Sequence, residues 1–269
     1  MAYYSIFPEK DTTIYSHPDR TNLNTGRDEI LELVEEKSTT GEIYYTSRIL
    51  IKFSNLDIKD VIENKLSGVA KEVTPNNLEI SLNLYSTEHK QLANSHIIEV
   101  FPLSQSFMEG THRYEPKLSS TATGSFQATN GATWVHRTEL TSSTWPTNGF
   151  NSQATGSYTL QAGGGVWYTG VNFRGENSFF ENDILDTNID VTSIIQKFSS
   201  SYYTGDTYPD AIINNGFIIK KPSDVEEDSF NYGGLSYFST NTHTIYPPKL
   251  TFKWDDSSYS HSGTTLTSG

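Results

Sequence analysis

Leu78-Glu79-Ile80-Ser81-Leu82-Asn83-Leu84 alternates without interruption, its leucine and isoleucine side chains pointing one way and Glu79, Ser81 and Asn83 the other. A period of two is the signature of a strand with one buried and one wet face. Working outward, residues 48–53 set Ile49, Ile51 and Phe53 against Arg48, Leu50 and Lys52. Residues 249–254 set Leu250, Phe252 and Trp254 against Lys249, Thr251 and Lys253. Shorter stretches that read as strands are 29–34, 96–101 and 216–220. Half-wet strands belong to antiparallel sheets, whereas parallel strands read as continuous apolar runs. The expected fold is all-β: a two-sheet antiparallel β-sandwich, jelly-roll-like, with one or two short helices and a long Gly/Ser/Thr-rich insertion.

Two segments carry helical spacing instead. Val191, Ile194, Ile195 and Phe198 sit at i, i+3, i+4 and i+7, with Asp190 placed to cap the first turn. Ile58, Val61, Ile62 and Leu66 follow Asp57, another good capping residue. The stretch from about 114 to 177 differs from both patterns. It is rich in Ser, Thr, Gly, Asn and Gln, holds Gly163-Gly164-Gly165, and is punctuated by isolated aromatics. A connection this long inside a domain implies function or local order, and its aromatics argue against disorder. The glycine run reads as a flexible tip or a point of backbone contact. Residues 1–256 are expected to form one sandwich domain, with 257–269 a polar linker or tail.

Composition narrows the function. The 269 residues suit one large sandwich. With no cysteine, disulfides, thiolate metal sites and a cysteine nucleophile are excluded. A net charge of −13 argues against nucleic-acid and anionic-membrane partners. No stretch approaches the ~18 apolar residues of a membrane span. The first ten residues, MAYYSIFPEK, show neither the basic nor the apolar region of an export signal.

No catalytic constellation emerges. The seven histidines, at 17, 89, 96, 112, 136, 243 and 261, show no metal-binding spacing. The carboxylate runs Glu35-Glu36, Glu226-Glu227-Asp228 and Asp255-Asp256 read as solvated turns, because neighbours in sequence point apart rather than across a cleft. The Gly163–Gly165 run lacks the Lys and Ser/Thr of a phosphate loop, and no Gly-x-Ser-x-Gly elbow occurs. The expectation is no catalytic residue, no metal and no cofactor. Exposed aromatics on β-loops hold sugars or proteins with large area at low entropy cost. Trp134, Trp145, Tyr158, Trp167 and Tyr168 are therefore the candidate binding residues, for an assembly or glycan surface, with packing of the insertion onto the sandwich as the alternative.

A resemblance adds to this reading. Asp11-Thr12-Thr13-Ile14-Tyr15 is followed in order by Asn22-Leu23-Asn24-Thr25-Gly26, by Arg48 to Phe53 and by Leu82-Asn83-Leu84-Tyr85. Phe107-Met108-Glu109-Gly110, Gly131-Ala132-Thr133-Trp134, Ile189-Asp190-Val191-Thr192, Asn214-Asn215-Gly216-Phe217 and Pro248-Lys249-Leu250 complete the series. It resembles the DNRLRE-type β-sandwich domains of cell-surface and carbohydrate-binding bacterial proteins, over residues 7–254. The closing run Thr242-His243-Thr244-Ile245-Tyr246-Pro247-Pro248-Lys249-Leu250, with Trp254-Asp255-Asp256, is similar to virion structural proteins of tailed bacteriophages, particularly marine myoviruses. That likeness implies a non-enzymatic particle component of the neck, tail, baseplate or fibre region. It would be made in the host cytoplasm without an export signal and assembled with other virion proteins as a symmetric homo-oligomer. The alternatives are a carbohydrate-binding or adhesin module for a host-surface glycan, and an enzyme such as a polysaccharide depolymerase.

Overall fold

The computed structural model describes residues 2–37, 44–66, 78–90, 95–114, 130–138, 143–146, 154–157, 163–180, 183–200, 211–228 and 230–254. Elements are numbered in chain order. One sheet runs β1 (Ala2–Ile6), β15 (Lys249–Trp254), β6 (Leu78–Leu84), β12 (Thr187–Asp190). A larger one runs β11 (Gly175–Phe180), β8 (Ser95–Pro102), β13 (Phe217–Lys220), β5 (Tyr44–Phe53), β2 (Pro8–Tyr15), with β4 (Glu35–Lys37) also on β5. A three-stranded sheet, β3 (Ile30–Leu33), β14 (Gly234–Phe238), β7 (Ser86–Lys90), continues from the end of β6, and β9 (Ala154–Ser157) pairs with β10 (Gly163–Tyr168). All named pairings are antiparallel. The fold is all-β, as the alternating segments require.

The two large sheets face each other. Ile80, Leu82, Leu84, Leu250 and Phe252 of one meet Ile49, Ile51, Phe53, Ile98, Val100, Phe217 and Ile219 of the other in a single core. Each such side chain contributes about 1.5–3 kcal/mol by leaving water. The chain passes directly between the two large sheets at Phe7, between β1 and β2, and again from β5 to β6, from β11 to β12 and from β12 to β13.

Both helical segments are present. α1 (Asn55–Asp60) starts at Ser54, whose hydroxyl accepts from the amides of Leu56 (3.2 Å) and Asp57 (3.4 Å). The cap is therefore Ser54, and Asp57 lies inside the first turn: a serine just ahead of the helix reaches two orphan N–H groups that a residue within it cannot. α1 continues as a π-helical turn, Val61–Lys65, closed by Leu66 N–H on Val61 O at 3.0 Å. The wider turn brings Leu66 onto the buried stripe of Ile58, Val61 and Ile62. In α2 (Thr192–Ser200) Ile194, Ile195 and Phe198 enter the core. Asp190 Oδ1 accepts the Thr192 amide at 2.9 Å. The Val191 carbonyl accepts from Ile195, so Asp190 stands one place ahead of the cap residue itself.

The larger sheet is buried on its second face as well. Ile14, Leu50, Phe101 and Ile218 pack there against Leu103, Phe107, Ala132, Trp134, Trp145, Val166 and Trp167. The wet face expected at Arg48 and Leu50 does not exist: both are buried, and on β5 only Lys52 keeps partial exposure among the residues from Thr46 onward. The described parts of the 114–177 stretch contribute Ala132, Trp134, Trp145, Val166 and Trp167 to this third layer, and Gly175–Asn177 belongs to edge strand β11. The glycine run is a contact point and not a tip. Gly164 has φ +78°, and a Cβ there would lie 2.6 Å from both Arg48 Nη1 and the Trp134 ring. The tail 257–269 lies outside the described residues.

Candidate functional site

The structure places the sequence-predicted aromatics inside. Trp134 has no exposed surface, and Trp145, Trp167 and Tyr168 are buried too, while Tyr158 lies outside the described residues. Trp145 donates Nε1–H to the Thr133 carbonyl at 3.0 Å, and Tyr168 packs on Phe173. These four enclosed side chains have no face for a partner or a sugar, so the surface expected at Trp134, Trp145, Trp167 and Tyr168 is corrected to a packing layer. The reason is the apolar face of the larger sheet, which needs a cover.

What Trp134 and Trp167 do hold is Arg48. Its guanidinium carbon lies 4.7 Å from the Trp134 centroid and 5.1 Å from that of Trp167. It makes a fork to Glu226, Nε to Oε1 at 3.0 Å and Nη2 to Oε2 at 2.6 Å, and its Nη1 donates to Gly164 O at 2.7 Å. The side chains of Arg48 and Glu226 are 2% and 1% exposed. Lys220 Nζ lies 3.3 Å from Glu226 and 3.8 Å from Glu99, which also meets Arg174 at 2.8 Å. Lys221 pairs with Glu35 at 3.1 Å and donates to Gly233 O at 2.6 Å, and Glu35 accepts the Tyr232 amide at 2.7 Å. Glu35 and Glu226, expected to be solvated, are therefore interior carboxyl groups. Each carries an ion pair that compensates its desolvation.

Within this network burial and ion pairing act in opposite directions. Burial lowers the Lys220 pKa, and Glu226 opposes that shift. Lys220 Nζ is 3.3 Å from Ser223 Oγ. Glu226 and Glu99 both lie within ion-pair reach of this amine and favour its charged form. Burial likewise lowers Lys221, opposed by Glu35, and raises Glu99, opposed by Lys220. Asp11 lies elsewhere, on β2. Burial pushes its pKa up to about 7, although the Thr240 amide (2.8 Å) and hydroxyl (3.0 Å) both donate to it. It clamps the loop after β14.

Three of the motif pieces converge in space. Asn24 Nδ2 donates to Glu109 O at 2.6 Å and Ala132 O at 2.9 Å, while its Oδ1 accepts the His112 amide at 3.3 Å. The runs 22–26, 107–110 and 131–134 are thus a structural clasp joining the cover to the sandwich.

The exposed features lie elsewhere. Tyr246 stacks on Phe238 (centroids 6.2 Å, 21°) and tilts against Tyr85 (5.4 Å, 52°), whose ring lies 5.3 Å from Lys249 Nζ. Tyr246 is 47% exposed, with Ile245 open beside it. Next to this stack Asn83 donates to Asn188 Oδ1 at 3.0 Å and accepts from the Thr251 hydroxyl at 2.8 Å. Sequence reading missed the trio because Tyr85 lies far along the chain from Phe238 and Tyr246, and their meeting depends on the sheets.

An acidic hollow of about 650 Å³ is lined by Asp28, Glu29, Glu32, Glu36, Thr87 and Tyr114 among others. Glu32 accepts from Tyr15 Oη at 2.6 Å, Asp28 from the Tyr114 amide at 2.9 Å, and Glu36 pairs with Arg20. Among the described residues, no group of three or more His, Asp or Glu side chains is disposed to hold a metal ion, and no helix is long and apolar enough to cross a membrane. Apolar side chains are exposed at sheet margins and turns: Tyr3 and Phe7 around β1, Phe180 and Ile184 around β11, Leu56 and Ile213 near the start of α1. No protein-family model and no curated protein matches the chain.

Proposed function

We propose that the chain is a non-enzymatic structural protein of a tailed-bacteriophage particle, of the neck, tail, baseplate or fibre region, working by protein–protein assembly. The observation that carries the reading is the set of apolar side chains left open at the sandwich margins: Tyr3, Phe7, Phe180 and Ile184. Open strand edges with exposed apolar residues are liabilities for a solitary domain and assets for one that docks on neighbours. The likeness of residues 242–256 to virion structural proteins supplies the particle. The buried ion network fits a scaffold, since its charged groups are committed to one another. Immunogold labelling of purified native particles, with mass spectrometry of their proteins, tests the reading. The chain is expected at one site on the particle; purified particles without it would overturn the proposal.

The Tyr85–Phe238–Tyr246 stack favours a second reading, recognition of a host-surface glycan. Partly exposed rings beside fixed amides and hydroxyls are what a sugar face needs. The site would be this stack and not the buried tryptophans of the cover. A glycan array with the wild-type chain and Tyr246→Ala decides it: ligands lost in the variant support a sugar site there, and an array without hits removes it.

A further inference from the structure

We infer that strand β1 is a self-association edge, on which a second copy of this chain adds its own β1 antiparallel across a two-fold axis. The inference deepens the assembly reading by naming a partner and a surface. β1 lies at the margin of the four-stranded sheet, paired on one side with β15 from Ala2↔Trp254 to Ile6↔Leu250. Among the described residues no backbone group bonds to its other side.

Charge selects the occupant. The chain carries −13, so two copies repel over most of their surfaces. The other margins of the two large sheets carry ionisable groups: Glu9, Lys10 and Asp11 on β2, Glu176 on β11, Asp190 on β12. β1, Ala-Tyr-Tyr-Ser-Ile, has no acidic or basic side chain. Lys65 stands beside Tyr4, its Nζ 5.7 Å from the ring centroid and 3.7 Å from Asp60, so its charge is partly balanced. A partner of the same acidic sign can approach the strand without setting like charges on the strand itself opposite one another.

The strand is also complementary to itself. Full overlap about a two-fold axis at Tyr4 sets Ala2 against Ile6 and Tyr3 against Ser5, small beside large each time, with Tyr4 facing its own copy. Tyr3, 77% exposed, would lie along the outer face beside the copy's Ser5, and Phe7, 56% exposed, extends the apolar margin just beyond the strand. The free N–H and C=O groups would close a ladder, joining the two four-stranded sheets into one. Five residues make a weak contact singly, which repetition around a particle axis would multiply.

Sedimentation velocity over a concentration series of the full chain tests this. The wild type is expected to show a reversible, concentration-dependent monomer–dimer equilibrium. Tyr4→Lys and Tyr4→Glu each put like charges opposite one another and are expected to abolish the dimer, while an equal mixture of the two restores it. Thermal melts confirm that both variants fold. Should either variant melt early, amide exchange of wild-type Ala2–Ile6 decides: protection that rises with protein concentration supports the edge, and unchanged protection overturns it. A wild type that stays monomeric, variants that still dimerise, or a mixture that fails to recover would each overturn it. Immunogold labelling of particles does not depend on these outcomes, so the pairing and the particle reading fail separately.

Discussion

Asp11→Asn should stabilise the protein at neutral and alkaline pH and do little in acid. Asp11 is a buried carboxyl held by two Thr240 donors, with Glu109 adding repulsion, and its pKa sits at about 7 against 3.8 for an ordinary aspartate. The folded state keeps its proton across that window while the unfolded chain has released it. Stability is therefore lost as pH rises from about 4 to about 7 and is flat above. A shift of this size corresponds to about 4 kcal/mol in all, of which about 2–3 kcal/mol falls between about pH 5 and about pH 8. Asparagine can meet the same partners without titrating, its Oδ1 accepting the Thr240 amide and its Nδ2 donating to the Thr240 hydroxyl. His96 acts in the opposite sense. Burial lowers its pKa to about 4, so its contribution is lost as pH falls below the unfolded value of about 6.5. That slope is common to both proteins and cancels in their difference. Urea unfolding of wild type and Asp11→Asn across this pH range is the assay. The gap between the two curves should widen in favour of the variant as pH rises. Parallel curves would refute a buried, unpaired carboxylate.

Two further outcomes follow from the interior. Glu226→Gln leaves the Arg48 guanidinium and the Lys220 ammonium short of their shared anion and should cost about 3–5 kcal/mol in chemical denaturation, the usual penalty for an orphaned buried charge; a loss under about 1 kcal/mol would mean that water reaches the site. Asp190→Ala removes the acceptor of the Thr192 amide and should cost about 1 kcal/mol, with Asp190→Asn costing less; unchanged urea midpoints would show that α2 needs no help at its start.

The inner faces were legible because each alternation is local. Leu78 to Leu84 and Leu250 to Trp254 declare their buried sides within seven residues, and α2 declares its stripe within about two turns. The cover was not legible. Whether Arg48 meets water depends on Trp134, Trp167 and Gly164, which lie far along the chain, and on Glu226 at a separation of 178 residues. An arginine on a strand reads as solvated unless its distant partners are known, and the same holds for Glu35 and Glu226. The tryptophans read as a binding surface, but Trp134 and Trp167 enclose the Arg48 cation and Trp145 packs in the same layer. The Tyr85–Tyr246 stack escaped for the same reason: two rings from distant parts of the chain meet only once the sheets are formed.

The pairing of Ala2 with Trp254 has a mechanical consequence. These residues sit at the same end of one antiparallel ladder. Tension applied between them loads the rungs one at a time, peeling β1 from β15 like a zipper, instead of shearing all rungs together. Such a joint yields at low force. A load-bearing connection in an assembly would have to grip the molecule elsewhere, across strands whose rungs share the strain. Peeling β1 away would also bare the edge of β15, with Leu250, Phe252 and Trp254 behind it, and so turn a pull on the ends into a newly adhesive strand.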